Sequence, residues 1–479
     1  MQEPTIMCGV SIHASVSDNG RGRMKIIRGY KTELDPTVKQ RSLLCQCAGT
    51  ARFAYNYGLA RKLAACKATG ASLSAIDLQK ELTARKHSDL PWLRGMSKWI
   101  VQNALRDLDT AYTHFFRRVR EKKAGKKHQS LGFPHFKSKG QGRGSFRLDK
   151  PIRVCEDRLQ LPRLGTIRLK EHSYIPTSGV KVLSATVSER AGKWFVSVLV
   201  EEEGPRVVKA SGQPMGVDVG IASLAVCSDG RPPLKNPKAL QKKLKRLKRL
   251  QRHLSRCKKG SANRQKARQQ VARLHARVAN TREDTLHKAT SSLVHAPLSP
   301  SECISLKAHL ASLLPRPKTK AEQKKVKKQV KKLLHQTTEI NAPLRPQVIA
   351  LEDLYVEGMK RNRKLARAVS DVGMGEFRKQ MEYKSVWNGE MLLFADRFFP
   401  SSKKCHWCSW KWEDMELSDR IFLCQNPVCR LFQVPQDRDT NASENLAELA
   451  HEYLRVYGEL HRTEKVCGEP EHWLVGNDQ

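Results

Sequence analysis

A chain of 479 residues exceeds one ordinary core and, at about 100 to 200 residues per domain, divides into two to four. Its 88 Lys plus Arg against 47 Asp plus Glu leave a formal charge of +41. Solubility asks a small domain for a net charge of only roughly 2 to 8, so the surplus implies a polyanionic partner. No run approaches the roughly 20 apolar residues of a membrane span, and residues 1–23 lack a signal-type apolar core, so a cytoplasmic protein is expected.

Residues 1–23 have no period and are expected to form a disordered leader. Met24 to Leu34 alternates as a strand, and Pro36 opens a helical region carrying Leu43, Leu44, Ala48, Phe53 and Leu59. Apolar residues three and four apart predict helices over Ser72–Arg85 and Ser97–Arg120. Gly132-Phe-Pro-His-Phe-Lys-Ser-Lys139 has no room for an apolar face and reads as a basic loop. From 145 to 202 the period becomes two, in runs at Arg153, Arg158, Thr166 and Lys193–Val200, with a hairpin turn at Gly192. A small barrel is expected there.

Gly216 to Val226 reads as a strand pair, followed by a helical hairpin whose leucines at 240, 244, 247, 250 and 254 recur at helical spacing before the Lys258-Lys-Gly-Ser break. Its basic faces suit phosphate contact. Residues 289–345 look like a basic insertion. Val348–Leu354 is a buried-type strand ending in carboxylates, Phe377–Asn388 a helix, Met391–Phe399 a strand and Asn441–Tyr457 a closing helix.

Of thirteen cysteines, nine show no metal-type partner spacing beyond the pair at Cys45 and Cys47, and read as reduced thiols. Cys405-x2-Cys408 and Cys424-x4-Cys429 offer four soft ligands for a tetrahedral Zn2+. Four thiolates leave no open position, so the site is structural, with His406 a bystander and Cys429, on the wider knuckle, the least secure ligand. Asp218 in a Gly-rich strand, Glu352 at the end of an apolar strand and Asp439 at a helix start form a candidate magnesium-binding triad. Hard oxygen ligands suit that ion, and two ions about 3.5 to 4 Å apart activate a water and stabilise the leaving oxygen in phosphodiester hydrolysis. Asp353 and Asp437 compete with their neighbours; only one of Glu352 and Asp353 can face a site from an extended strand.

These residues, with Phe53–Tyr57, Ala104–Leu108, Gly132–Lys139, Gly192–Val198, Gly216–Gly220, Leu351–Leu354, Met381–Lys384, Asp396–Ser402 and Asp437–Ala442, resemble the TnpB family of transposon-encoded RNA-guided nucleases, relatives of the compact type V CRISPR effectors. The resemblance spans about Met24 to Tyr457. It implies a multidomain α/β protein: a RuvC-type, RNase H-like nuclease at 211–402 and 430–460, a zinc ribbon at 403–429 that binds target nucleic acid, a wedge β-barrel at 24–36 and 132–210, and a helical recognition lobe at 37–131. A flexible tail follows at 461–479. It selects Asp439 over Asp437 and Glu352 over Asp353 as catalytic acids. It also implies Mg-dependent cleavage of double-stranded target DNA beside a short motif, directed by a transposon-derived noncoding guide RNA, in the cytoplasm at the nucleoid. The alternatives are a miniature type V CRISPR effector, or an RNA-guided DNA-binding protein without cleavage. The insertion at 289–345 and the wide second knuckle depart from the family pattern.

Overall fold

The structure, a computed structural model, describes residues 25–125, 130–139, 144–149, 151–203, 212–294, 346–388, 390–416 and 418–464. The expected leader, residues 295–345 of the expected insertion and the tail from 465 lie outside the described residues. The chain divides into two compact units, one within 14–204 and 250–276, the other within 205–249 and 277–479.

The first unit begins with β1 (Lys25–Asp35) and α1 (Val38–Thr69). Thr37 starts the helix because its side chain accepts from the Gln40 amide while the Gln40 side chain accepts from the Thr37 amide, a reciprocal capping box. Ser74 and Asp77 repeat the device ahead of α2 (Ala75–Arg85). With α3 (Lys98–Lys123), these helices bury Ala54, Leu59, Leu78, Leu82, Leu105 and Leu108 in one core.

Strands β2 (Ser145–Asp149), β3 (Arg153–Val154), β4 (Arg158–Leu161), β5 (Gly165–Leu169), β6 (Val180–Arg190) and β7 (Lys193–Glu203) join β1 in a seven-stranded sheet of order β2-β6-β7-β1-β5-β4-β3. Each pairing is antiparallel. Ala191 and Gly192, at φ 55° and 80°, make the two-residue turn joining β6 to β7, a conformation that suits glycine and matches strand twist. Leu148 of β2 and Leu159 of β4, from opposite parts of the strand order, belong to one cluster of buried apolar side chains that also takes in Leu44 of α1 and Ile100 of α3. No hydrogen-bonded seam joins the two ends of the sheet among the described residues.

The second unit is built on a five-stranded mixed sheet, order β10-β9-β8-β11-β12. Its strands are β8 (Met215–Asp218), β9 (Ser223–Cys227), β10 (Leu234–Lys235), β11 (Val348–Glu352) and β12 (Met391–Ala395). β8, β11 and β12 run parallel, while β9 and β10 are antiparallel additions. Helices α4 (Ala239–Arg256) and α5 (Ala262–Val294) follow β10, with residues 250–276 of this pair counted in the first unit, and α6 (Val356–Arg361), α7 (Ala366–Val372) and α8 (Met374–Asn388) lie between β11 and β12. A two-stranded ladder of β13 (Ile421–Phe422) and β14 (Gln436–Asp437) leads into α9 (Arg438–Glu464).

Parallel strands are covered on both faces, and the alternation of β8 and β11 sorts their side chains accordingly. Met215, Val217, Ile349 and Leu351 pack with Leu286 and Leu293 of α5, Val369 of α7 and Phe377 and Met381 of α8. Val348 and Ala350 turn the other way and pack with Leu446 and Ala450 of α9. The described helices contain none long and apolar enough to cross a membrane.

Candidate metal centres

Side-chain parity carries Asp218 and Glu352 to the α9 face of the sheet, since they follow Gly216 and Ala350 by two residues. The two strands are adjacent, with Ala350 beside Gly216 and Leu351 beside Val217, so both carboxylates sit together at the carboxyl ends of parallel strands. Gly216 lets α9 lie directly on β8: a Cβ there would fall 1.9 Å from the Ser443 carbonyl oxygen and 2.4 Å from the Ala447 nitrogen. Asp439 precedes Ser443 by about one helical turn, roughly 6 Å, which matches the two-residue rise from Gly216 to Asp218. The third acid is thereby brought to the first two.

Burial holds the Asp218 carboxyl well above its ordinary range, and the charges of Glu352 and Asp439 push it the same way. Burial also raises Glu352, with Asp439 adding to it, while the hydrogen bond from Ser401 and the Arg438 guanidinium pull it down. Arg438 donates to Asp439 Oδ1 at 3.3 Å and to the Asp419 carbonyl at 3.0 Å. Three converging carboxylates, one 9% exposed, with mutual repulsion only partly offset by a guanidinium, form a donor set that a hard divalent cation fits.

The competing acids are engaged elsewhere. Asp353 points to the opposite face, where it pairs with Arg378 and, at 2.7 Å, with Arg397, and these partners hold its carboxyl below the usual range. Asp437 caps α9, accepting from the Thr440 amide at 2.9 Å and its hydroxyl at 3.1 Å.

The thiols of Cys405, Cys408, Cys424 and Cys429 all lie within 4.8 Å of one another. Cys405 and Cys429 sulfurs are 3.9 Å apart, and those of Cys408 and Cys424 3.5 Å. Four sulfurs at about 2.3 Å from a tetrahedral Zn2+ would stand about 3.8 Å apart, so the cluster has the dimensions and chemistry of a zinc site. The wide knuckle closes because the Asn426 side chain accepts from the Val428 amide and its carbonyl from the Cys429 amide, at 3.2 and 3.0 Å. His406 lies outside the cluster and bonds Asn441.

Sequence reasoning assigned no role to Ser401, Arg438, Asn441 or Asn445. Ser401 donates to Glu352 Oε1. Asn441 Oδ1 accepts from the His406 amide at 3.1 Å, and its Nδ2 donates to the Lys404 carbonyl at 2.7 Å. Asn445, one turn further, donates to the carbonyls of Ser401, Lys404 and Asn441 at 2.8, 2.6 and 3.0 Å. A buried Asn pair four apart in the first turns of a helix was the available signal.

Three family models match parts of the chain: "Probable transposase" over residues 181–296, "Helix-turn-helix domain" over 24–71, and "Cas12f1-like, TNB domain" over 375–446. Within the second of these ranges the described residues form β1 (Lys25–Asp35) and the long helix α1 (Val38–Thr69). A "Putative RNA-guided DNA endonuclease" of Streptomyces pristinaespiralis is 31% identical over 426 residues, covering 88% of this chain and 89% of that protein. "Putative RNA-guided DNA endonuclease InsQ" of Escherichia coli K12 is 30% identical over 451 residues, covering 90% and 94%. A cryo-EM structure of a Cas12f1–sgRNA–target DNA complex aligns over 88% of this chain and 99% of that one, at 10% identity and a TM-score of 0.43.

Proposed function

The chain belongs to the TnpB family of RNA-guided DNA endonucleases, and from that membership we propose that it cuts double-stranded DNA selected by a noncoding guide RNA, with Asp218, Glu352 and Asp439 as its catalytic acids. The observation that carries this reading is the convergence of the three acids, two at the ends of adjacent parallel strands and one in the first turn of the helix laid across them. Carboxyl ends of parallel strands are where α/β sheets place their ligands. The strand order and the flanking helices support a RuvC-type, RNase H-like nuclease fold for this unit.

Asp218, Glu352 and Asp439 would hold Mg2+, up to two ions, supplying an activated water and stabilisation of the leaving oxygen. Ser401 fixes the rotamer of Glu352, and Arg438 offsets negative charge beside Asp439. Cys405, Cys408, Cys424 and Cys429 would hold Zn2+ in a closed structural site. Within this reading residues 37–131 serve as recognition lobe, 24–36 with 132–210 as wedge, and 403–429 as the ribbon that holds target nucleic acid. The +41 charge supports binding of both the guide and DNA by phosphate neutralisation. Base pairing then selects the sequence while protein reads shape and a short adjacent motif, in the cytoplasm at the nucleoid.

The test is plasmid cleavage by the full chain with its co-purifying RNA and Mg2+. Asp218→Ala, Glu352→Ala and Asp439→Ala should each abolish cutting while guided DNA binding persists. Unimpaired cutting by all three variants would refute the assignment.

A further inference from the structure

After β12 the chain runs through a short loop, Ser401 to His406, that reaches the first cysteine ligand and whose two ends serve different centres. At one end Ser401, 3% exposed, donates its hydroxyl to Glu352. At the other, Cys405 enters the thiolate cluster. The interior of the loop is held by α9, the helix that carries Asp439. Asn445, 2% exposed, donates to the Ser401 and Lys404 carbonyls, and Asn441, 1% exposed, donates to the Lys404 carbonyl and accepts from the His406 amide. The Asn441 oxygen also lies 3.0 Å from His406 Nδ1.

A loop that needed only to connect a strand to a knuckle would not require this arrangement. The two buried amides use their donors and an acceptor on backbone groups of the loop, which ties the loop to α9 at Ser401, Lys404 and His406. The same loop fixes Glu352 through Ser401, and the same helix fixes Asp439. Two of the three acids are therefore set by one buried lattice that passes through the residue preceding a thiolate ligand.

Resting on the assignment of Asp218, Glu352 and Asp439 as the metal-binding acids, we infer that Ser401, Asn441 and Asn445 are positioning residues that couple the four-thiolate cluster to the acid centre. Disturbing the cluster loosens the loop, and loosening the loop separates Glu352 from Asp439. The wide cysteine ribbon is then a mechanical part of the divalent-cation site as well as a fold element.

The experiment measures Mn2+ binding by electron paramagnetic resonance on the full chain free of RNA, so that phosphates do not compete, with zinc content determined in parallel. Partners that orient metal ligands typically contribute about 10- to 100-fold in metal affinity, so Ser401→Ala and Asn445→Ala should each weaken Mn2+ binding by about tenfold or more with zinc content unchanged. Ser401→Thr, which keeps the hydroxyl, should restore it. Cys408→Ala should weaken Mn2+ binding although Cys408 touches none of the three acids. If that variant does not fold, Asn441→Ala tests the same link with all four thiols intact. Parent-like Mn2+ affinity in a folded Cys408→Ala, or in Ser401→Ala, Asn445→Ala and Asn441→Ala together, beside a weakened Glu352→Gln, overturns the coupling alone. Parent-like affinity in Glu352→Gln overturns the acid assignment beneath it.

Discussion

Gly216→Ala is a one-methyl perturbation whose effect the structure fixes in size. The added Cβ would stand 1.9 Å from the Ser443 carbonyl oxygen, 2.4 Å from the Ala447 nitrogen and 2.8 Å from Leu446 Cβ. The first two are backbone atoms of α9, so no side-chain rotation relieves them. Ordinary carbon–oxygen contact at roughly 3.2 Å requires α9 to retreat by more than about 1 Å, or β8 to do so, in a close-packed interior. Overpacking of this kind costs about 1 to 3 kcal/mol, here near the upper end, equivalent to roughly 6 to 12 °C in Tm for a unit of this size. The larger effect is on the chemistry proposed for the three acids. Asp218 stands two residues beyond Gly216, and Asp439 one turn before Ser443, so the displacement opens the gap between the acids. A 1 Å misplacement at a reacting centre costs about 100-fold in rate. Plasmid cleavage under saturating guide and Mg2+ should fall by that order, with Tm lowered in scanning calorimetry. Gly95→Ala, at a site with no atom within 4 Å and no left-handed backbone, is the matched control and should change neither. A Gly216→Ala protein that cuts and melts like the parent would refute the claim that this crossing sets the acid spacing.

Asp437→Ala removes the cap of α9 and should cost about 0.5 to 2 kcal/mol in thermal unfolding while leaving cleavage at saturating Mg2+, separating it from Asp439. Asp371 is a different kind of structural acid: its carboxylate accepts from the Leu240 amide at 2.9 and 3.0 Å and the Gln241 amide at 3.1 Å, and also pairs with Arg282 at 3.1 Å. Asp371→Ala should therefore destabilise by about 3 kcal/mol, summing a lost cap and a guanidinium left with fewer partners, read as a fall in denaturation midpoint. The pH dependence follows from Asp218. Its folded pKa is raised by burial and by its acidic neighbours, so the folded state binds protons more tightly than the unfolded state. Its contribution to stability then falls as pH rises from about 4, the unfolded value, through the folded one. Without added divalent cation, Asp218→Asn should melt above the parent at pH 7.5 and approach it as the pH is lowered; Mg2+ should close the gap at pH 7.5 by stabilising only the parent. A difference in melting between Asp218→Asn and the parent that stays the same from pH 7.5 down to about pH 4 would contradict this.

Much of the second unit was readable because its signals are local. An apolar run ending in acids at Val348–Leu354 becomes β11, Gly216–Val226 becomes the β8–β9 pair, and the leucine spacing becomes α4. The strand Met391–Phe399 is shorter than its apolar run, ending at Ala395, because the Asp396 carboxylate takes the Phe398 amide and turns the chain. In the first unit β6 escaped direct reading. Its ladder shifts register between Val182 and Ser184, which breaks the period of two on which strand recognition depends. The many short strands made an antiparallel sheet over one apolar core inferable; whether its ends meet was not, because seam closure depends on shear between distant strands, and among the described residues no seam closes it.

The candidate site divides along the same line. Residue type and setting were enough to nominate Asp218, Glu352, Asp439 and the four cysteines. What the sequence could not separate locally were the pairs Glu352/Asp353 and Asp437/Asp439, each a carboxylate beside a carboxylate. Geometry distinguishes them by partner. Asp353 has two arginines and Asp437 has a helix terminus, so each has its charge compensated by the protein. Asp218 and Glu352, by contrast, are held out of water with each other and Asp439 as neighbours, a costly arrangement that folding alone gives no reason to keep. Compensation is therefore the physical test that separates structural acids from candidate ligands here. Its partners lie 25 and 44 residues from Asp353, beyond the reach of any local pattern.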